Sequence, residues 1–370
     1  MQVKNNYNEC LTNLACSIRK YFGLDYNHKT LEYVDNLLES KKPRNVVTIL
    51  YDGMGANILK RTLDNDDFLI KNMYKSITTV FPATTVAATT SMITGLNPIE
   101  SGMLGWNTYY KDIDKIITTF LNYEKTNEKC TVLEEAINLR KKYMKEKSVV
   151  SLINGKGDDK GYGLFPFGSS PYIDVDDMYS KIREYCKADG KKYIYAYDEE
   201  PDHTMHMLGP DDEKVKELIK YRNDKTKELC DELEDTIIFV VADHGHIKVE
   251  NLYLKDYPDV VECLRMGTST EVRATSFFIK NGMKDEFVKR FNKHFSDDFD
   301  LYTKEDVLNS GLFGDGVKNE LIDSELGDFL SIAKSNKTLI YEGDDALYSH
   351  HAGYTEDEIY VPLIIIDKCK

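Results

Sequence analysis

The stretch VVTILYDGMG, residues 46–55, decides the fold class. Its first six residues, Val46 to Tyr51, are almost wholly apolar and rich in β-branched side chains, which is typical of a parallel strand buried on both faces. Asp52 follows at once on a turn with two glycines, and a capping aspartate is the simpler interpretation of this turn taken alone. A dinucleotide-binding G-x-G-x-x-G motif is not completed, because Ile58 occupies the position of the third glycine.

Similar short apolar runs recur along the chain. Between them lie longer amphipathic stretches, such as residues 211–234, whose apolar side chains repeat at three-to-four spacing. Strands that alternate with helices predict an α/β fold with a doubly wound, mostly parallel central sheet. The further predicted strands are Val149 to Ile153, Tyr193 to Tyr197, Ile237 to Ala242 and Val361 to Ile366.

Two regions depart from this alternation. Residues 1–42 have helical periodicity and predict an N-terminal extension packed outside the core. Residues 246–345 contain a strand-like run at 273–279, a helix-like run at 285–295 and a glycine-rich turn, so they predict an inserted smaller α+β cap. The expected organisation is one α/β domain of residues 1–245 and 346–370 with this cap packed against it.

Composition excludes several classes of partner. The net charge of −15 opposes nucleic acid binding, which draws on Lys and Arg that replace counterions. No run of about 18 apolar residues or secretory leader is evident, and the seven scattered cysteines contain no C-x-x-C pair. We therefore expect a cytoplasmic protein that binds neither membrane nor nucleic acid. The sequence leaves the oligomeric state open.

Aspartates and histidines lie beside the predicted strands, after three of them and before the last. Ligands bind beyond the carboxyl ends of strands in doubly wound sheets, and Asp and His supply oxygen and nitrogen ligands for zinc. Each segment alone has a simpler structural explanation, but six of the eight histidines fall in these segments. Together with Asp52 they predict a site for two divalent ions. The residues concerned are Asp202 and His206, four apart; the adjacent Asp243 and His244; and one of His350 and His351. His203 and His246 are not assigned as ligands.

Residues 82–96 contain no lysine, arginine, acid or aromatic side chain, which predicts a loop that enters a tightly packed helix ending at Gly95. A threonine at the start of this helix is either an N-cap or a nucleophile beside free backbone N–H groups that receive a phosphoryl oxygen. A threonine hydroxyl needs a metal to act as a nucleophile at neutral pH. Both interpretations stay open on this segment.

Together these segments resemble the alkaline phosphatase superfamily and, within it, the type I phosphodiesterase and nucleotide pyrophosphatase family. The likeness spans most of residues 45–245 and returns at 346–366. Five motifs carry it, in the order of the family: YDGMG (51–55), FPATTVAATTSMITGLNPIESGMLGWN (81–107), EEPDHTMHMLGP (199–210), VVADHGH (240–246) and HAGYTEDEIYVPLI (351–364).

The resemblance implies a role for each residue of the site. Its threonine spacing selects Thr85 over Thr84 as the nucleophile, and its H-x-G pattern selects His351 over His350. It implies one ion held by Asp202, His206 and His351, and a second held by Asp52, Thr85, Asp243 and His244. Zinc is the usual occupant of both positions. Asn107 is the nearest match to an asparagine that contacts a phosphoryl oxygen.

The function implied is a phosphodiesterase or nucleotide pyrophosphatase that acts through a covalent phosphothreonine-type intermediate on a small phosphate ester. Val86 to Ala88 replace the Asn-His found in many nucleotide pyrophosphatases, so nucleotide preference does not follow. The alternatives are a phosphomonoesterase, a phosphonate (C–P bond) hydrolase such as phosphonoacetate hydrolase, and an inactive metal-binding regulatory module. A sulfatase is excluded because the C/S-x-P-x-R motif is missing.

Overall fold

A six-stranded sheet forms the centre of the protein in the computed structural model, which describes residues 4–125, 129–168, 171–341 and 347–369. The strands, in chain order, are β1 (Asn45–Tyr51), β2 (Met73–Thr78), β3 (Asn107–Tyr110), β4 (Lys115–Thr118), β5 (Tyr123–Glu124), β6 (Lys160–Leu164), β7 (Lys192–Asp198), β8 (Thr236–Val241), β9 (Ile247–Lys248), β10 (Glu250–Tyr253), β11 (Ser269–Thr270), β12 (Ala274–Phe277), β13 (Phe299–Thr303), β14 (Phe329–Ala333), β15 (Lys337–Ile340), β16 (Ser349–His350) and β17 (Tyr360–Asp367).

Helices cover this sheet and connect its strands. They are α1 (Leu11–Tyr21), α2 (Glu32–Lys41), α3 (Ala56–Thr62), α4 (Phe68–Lys71), α5 (Thr85–Thr94), α6 (Pro98–Ser101), α7 (Glu134–Tyr143), α8 (Val149–Lys156), α9 (Val175–Lys187), α10 (Asp202–Leu208), α11 (Glu213–Glu232), α12 (Pro258–Val261), α13 (Lys284–Phe295), α14 (Lys304–Asn309), α15 (Ile322–Glu325) and α16 (Glu356–Ile359), with a 3₁₀ turn at Leu254–Asp256. None of them, within the described residues, is long and apolar enough to cross a membrane.

The central sheet has the strand order β2-β17-β8-β1-β7-β6. Strand β1 pairs in parallel with β7 and β8, while β17 runs antiparallel to β8 and β2. All seven residues of β1 are buried, as its apolar sequence predicts. The predicted α/β fold with a mostly parallel central sheet is therefore confirmed.

One predicted strand is wrong. Residues Val149 to Ile153 form the first five residues of helix α8, and the strand of this region is β6, which follows it. The side chain of Ser148 caps the helix by accepting a hydrogen bond from Ser151 N, and Val149 and Ile153, four apart, are its buried residues. A short apolar run fits either element, and here the cap favours the helix.

A second sheet of seven strands has the order β13-β14-β12-β11-β3-β4-β5. Four of its strands come from the segment predicted as the cap, but β3, β4 and β5 come from residues 107–124. Strand β11 joins the two groups by pairing Thr270 with Asn107. Residues 246–345 therefore do not form this sheet alone. Their division from the rest of the chain stays a prediction, and its boundary at 345/346 lies outside the described residues.

The apolar core beside the second sheet includes residues near the predicted nucleophile. Phe81 and Ala83 pack with Ala274, Leu330 and other side chains of residues 274–332. Helix α1 also packs against α5. The loop before Thr85 and the helix that Thr85 begins are therefore both held by tertiary packing. All seven cysteines are free thiols.

Candidate metal centre and nucleophile

Three aspartates meet at the carboxyl edge of the central sheet. Asp52 follows β1, Asp243 comes two residues after β8, and Asp202 opens α10 after β7. The register pairs Tyr51 with Asp198 and Leu50 with Val241, so the three strands end at the same level. Neighbouring strands that end together bring side chains from distant parts of the sequence to one place.

The first group of possible ligands, called here the three-histidine cluster, consists of Asp202, His206, His246 and His351. One ligand atom from each lies within 4.8 Å of the others. Asp202 and His206 share one turn of α10, with Oδ2 and Nε2 3.4 Å apart. His351 reaches the same place because β16, just before it, pairs with β9, just after His246.

The second group, the two-aspartate cluster, consists of Asp52, Asp243 and His244, again with ligand atoms within 4.8 Å of one another. Their exposed fractions are 2%, 0% and 0%. The rings of His244 and His351 stack with centroids 3.7 Å apart, so the two clusters are immediate neighbours. The structure thus brings together the six aspartate and histidine ligands implied by the resemblance.

Glycines allow the loops of the two clusters to approach closely. Gly53 has φ +71°, and a Cβ there would lie 3.0 Å from the backbone of Asp202. At Gly245 a Cβ would lie 2.0 Å from the carbonyl oxygen of Asp357. Larger residues would push Asp202 and His244 away from their positions.

The buried aspartates have oxygens without partners, and this indicates cation binding. Asp243 Oδ1 accepts hydrogen bonds of 3.0 Å from the N–H groups of Gly53 and His244. Tyr197 Oη donates to Asp52 Oδ2. The other oxygens, Asp243 Oδ2 and Asp52 Oδ1, are buried and accept no hydrogen bond from the described residues. Because an unpaired buried carboxylate oxygen is costly, these groups and the imidazoles fit two divalent metal ions.

The electrostatics of the site agree with this fit. Burial raises the pKa of Asp52 well above its usual value, and the charges of Asp243 and Asp202 raise it further. Burial also raises the pKa of Asp243. By contrast, burial lowers the pKa of His246 to about 4 and that of His351 well below its usual value. Bound cations would offset the repulsion among the carboxylates, and neutral imidazoles are the form that binds metals.

The histidines implied as ligands are oriented by backbone carbonyls. Nδ1 of His206 lies 2.9 Å from the carbonyl oxygen of Ser349. The corresponding distances are 3.1 Å from His244 to Gly245 and 3.0 Å from His351 to Ala83. A carbonyl only accepts, so each Nδ1 carries the hydrogen and each Nε2 keeps its lone pair. This arrangement is the usual support of metal-binding histidines.

Thr85 lies at the edge of the two-aspartate cluster. Its Oγ1 is 3.4 Å from Asp52 Oδ2 and 3.2 Å from His244 Nε2. It is the first residue of α5, which ends at Gly95 with φ 78°. The first backbone N–H groups of a helix have no acceptor within the helix, so they can receive an anionic oxygen beside this hydroxyl.

Thr84 occupies the N-cap position, but its hydroxyl does not cap the helix. It donates instead to Glu271 Oε1 at 2.6 Å, and Trp106 N donates to the same oxygen at 2.6 Å. Glu271 precedes β12 of the second sheet and is 8% exposed. A carboxyl group of the second sheet therefore holds the residue next to Thr85.

Glu271 should make stability depend on pH. Burial raises its pKa from 4.5 to about 7. Because the pKa of Glu271 is higher in the folded protein, the stabilising contribution of this residue is present below pH 4.5 and is lost as pH rises towards 7. The loss amounts to about 3 kcal/mol in the free energy of unfolding. In Glu271→Gln, measured with a chelator, we expect the free energy of unfolding relative to wild type to increase by this amount between about pH 4 and about pH 8. A constant difference would contradict the prediction, and the exposed Glu305→Gln is the control.

A cavity of about 680 Å³ opens beside Thr85, Asp52 and Asp202. Six aromatic side chains line it, together with one face of α5. Arg140 is the only arginine or lysine among the described lining residues. The aromatic side chains are Trp106, Phe120, Phe165, Phe167, Tyr195 and Tyr197.

The structure also places the remaining residues considered in the sequence. His246 lies in the three-histidine cluster and was missed, although the motif Asp243-His244-Gly245-His246 carried a signal for it. Of the described residues, Trp106 lines the cavity and Asn107 does not, so the role of Asn107 stays a prediction. Glu271 gave no signal in the sequence.

Solved structures of similar fold support the architecture. Murine ectonucleotide pyrophosphatase/phosphodiesterase 5 matches with a TM-score of 0.68 and 17% identity over 86% of this chain and 87% of that one. An inactive form of that murine protein, with a threonine replaced by alanine and in complex with AMP, matches with a TM-score of 0.66 and 17% identity over the same shares, 86% and 87%. For the human protein the TM-score is 0.67 with 16% identity, over 86% and 87%.

The sequence also matches a known family. No curated protein sequence matches the chain significantly. The profile described as type I phosphodiesterase/nucleotide pyrophosphatase, however, matches residues 46–354, which is most of the chain and includes every residue of both clusters. The match confirms the resemblance noted in the sequence. The chain therefore belongs to the type I phosphodiesterase/nucleotide pyrophosphatase family, whose members are phosphoric ester hydrolases.

Proposed function

We propose that this protein is a metal-dependent phosphodiesterase in which Thr85 attacks phosphorus and forms a covalent phosphothreonine intermediate. The observation that carries the proposal is the position of Thr85 Oγ1, within 3.4 Å of both Asp52 and His244 at the start of α5. A threonine that served only as an N-cap would accept a hydrogen bond from a backbone N–H group in the first turn of the helix. Thr85 is instead the first helical residue and has its hydroxyl directed at the buried carboxylate.

Two divalent ions, which we propose to be zinc, complete the site. Asp202, His206 and His351 would hold one ion, and Asp52, Thr85, Asp243 and His244 would hold the other. Mixed histidine and aspartate ligation suits zinc. When bound, such a pair of ions lowers the pKa of the attacking hydroxyl and neutralises charge that develops on the phosphoryl group.

The residues of the chain account for the remaining steps. In the first displacement the Thr85 oxygen forms a bond to phosphorus while the bond to the leaving alcohol oxygen breaks. The hydroxyl proton has two acceptors within reach, Asp52 Oδ2 at 3.4 Å and the lone pair of His244 Nε2 at 3.2 Å. In the second displacement water adds to phosphorus, the bond to Thr85 breaks, and the threonine hydroxyl is restored. Free N–H groups at the start of α5 face the oxygens that carry charge in both steps.

The similar murine structure supports the use of a threonine and the class of product. That protein is inactive when a threonine is replaced by alanine, and it binds AMP, a phosphate monoester with an aromatic base. In this chain the aromatic cavity beside Thr85 offers room for an organic group of that size. We propose that the alcohol or nucleoside part of the substrate binds there.

Parallel assays test the proposal. The zinc-loaded protein should hydrolyse bis(p-nitrophenyl) phosphate and a p-nitrophenyl nucleotide diester faster than p-nitrophenyl phosphate or phosphonoacetate, and a chelator should abolish the activity. Faster release of phosphate from phosphonoacetate would identify a phosphonate hydrolase instead. No turnover of any substrate by the protein with both ions bound would contradict the proposal.

Phe167→Ala should weaken substrate binding. The Phe167 ring lines the cavity, is 57% exposed, and has its centroid 5.6 Å from that of Phe165. Loss of its stacking should raise KM for a ring-bearing diester about three- to tenfold with little change in kcat, because the ring contacts the organic group and not the reacting atoms. Ile173→Ala, which changes an 89% exposed side chain outside the cavity, is the control. An unchanged KM for Phe167→Ala would show that the organic group binds elsewhere.

A further inference from the structure

The hydrogen bonds of Ser349 determine which nitrogen of His246 carries a hydrogen. Ser349 Oγ lies 2.7 Å from the carbonyl oxygen of Met205 and 2.8 Å from His246 Nδ1. A serine hydroxyl has one hydrogen, and the Met205 carbonyl can only accept it. Ser349 Oγ must then accept from His246, so the hydrogen of this ring is on Nδ1 and Nε2 keeps its lone pair.

His246 Nε2 lies within hydrogen-bond distance of Asp202 Oδ1. With the hydrogen on Nδ1, a lone pair faces a carboxylate oxygen and no hydrogen lies between them. The two atoms are at direct hydrogen-bond distance, which leaves no room for a water molecule between them. Two electron-rich atoms at this distance repel each other unless a cation binds both.

A proton on His246 Nε2 could also bridge this nitrogen and the carboxylate, but it would leave the lone pairs of the other two converging imidazoles without a positive partner. His206 has its hydrogen on Nδ1, which donates it to the carbonyl oxygen of Ser349. Nε2 of His206 is 3.4 Å from Asp202 Oδ2. His351 likewise has its Nδ1 hydrogen tied to Ala83 O. Three lone pairs therefore converge on the one carboxylate of Asp202, and a single divalent cation among them is attracted by all four groups.

We propose that His246 is a fourth protein ligand of the ion bound by Asp202, His206 and His351. The inference rests on the proposed function for the presence of that ion. Zinc with four protein ligands has a filled tetrahedral shell, as in structural zinc sites. The two-aspartate cluster supplies three protein groups besides Thr85, whose neutral hydroxyl is a weaker zinc ligand than an imidazole. The two ions should therefore differ in affinity, and the three-histidine cluster should bind zinc more tightly.

Zinc titration of the metal-free protein in competition with a chromophoric chelator tests this inference. Wild type should bind two zinc ions with unequal affinities. His246→Phe, which keeps a ring but removes both nitrogens, should weaken the tighter site by more than about 100-fold, beyond the 10- to 100-fold loss typical of a residue that only supports a ligand. The control is His294→Phe, which removes a histidine paired with Asp259 on the surface of α13. Unchanged affinities in His246→Phe would overturn the inference.

A crystal structure of the zinc-loaded wild-type protein gives the same test without a substitution in the core. We expect His246 Nε2 at about 2.0–2.1 Å from the ion. An ion bound by Asp202, His206 and His351 with His246 outside its coordination shell would overturn the inference. Neither measurement uses a substrate. A protein that binds zinc through His246 but hydrolyses no diester would therefore refute only the proposed function. A protein that hydrolyses diesters but has His246 outside the coordination shell of zinc would refute only this inference.

Discussion

Thr85→Ala should abolish turnover while the protein keeps both metal ions. Three protein groups of the two-aspartate cluster remain, so zinc content measured by mass spectrometry should stay at two ions per chain. The rate should fall by at least about 10³-fold, because the attacking oxygen is lost and water must replace it without the same positioning. Steady-state assays with bis(p-nitrophenyl) phosphate measure the loss.

Two conservative variants distinguish the effect of losing the Thr85 hydroxyl from the effect of changing the side-chain volume. Thr85→Val has nearly the same volume and no hydroxyl, so it should be as inactive as Thr85→Ala. Thr85→Ser keeps the hydroxyl and should retain measurable activity. Substantial hydrolysis by fully loaded Thr85→Val would contradict the role of Thr85 as nucleophile.

Asp52→Asn should change stability in opposite directions with and without metal. In the metal-free protein Asp52 is 2% exposed, and Asp243 and Asp202 repel its charge. Asparagine is neutral and can still accept the hydrogen bond from Tyr197. We therefore expect the metal-free variant to unfold at a temperature about 2 °C or more above wild type, since relief of a poorly paired buried charge is worth about 1–3 kcal/mol.

With zinc bound, wild type should be more stable than Asp52→Asn, the reverse of the order expected without metal. Wild type gains about 4 kcal/mol when free zinc is about 1,000-fold above the dissociation constant, whereas Asp52→Asn loses a charged ligand and most of the gain at that ion. Thermal unfolding with chelator and with zinc measures both effects. Asp367→Asn, which removes a surface partner of Lys41, should show neither effect. A metal-free Asp52→Asn protein less stable than wild type would contradict this account of the buried aspartates.

The sequence was sufficient to place the aspartates because their positions follow from local patterns. Asp52 and Asp243 come after apolar runs long enough for buried strands, and neighbouring parallel strands end at the same edge. The distinctions between Thr85 and Thr84, and between His351 and His350, came from the family resemblance. They could not come from the residues themselves, since both members of each pair have the same chemistry.

Long-range pairing explains what the sequence could not predict. The motif Asp243-His244-Gly245-His246 is local, but His246 meets His351 only because β9 pairs with β16, about 100 residues later in the chain. Glu271 reaches Thr84 because β11 pairs with β3, which also brings residues 107–124 into the second sheet. Neither pairing has a local pattern. The helix at Val149 was missed for a different reason, because one capping serine outweighed the β-propensity of a short apolar run.

The stereochemistry at phosphorus tests most directly whether Thr85 carries the phosphoryl group. A single diastereomer of a chiral phosphorothioate diester is hydrolysed by the zinc-loaded wild-type protein in ¹⁸O-labelled water, and the configuration of the product is determined. Two in-line displacements, the first by Thr85 and the second by water, invert the configuration twice, so we expect net retention. Net inversion would mean that water attacks the diester in one step, and it would contradict the covalent mechanism.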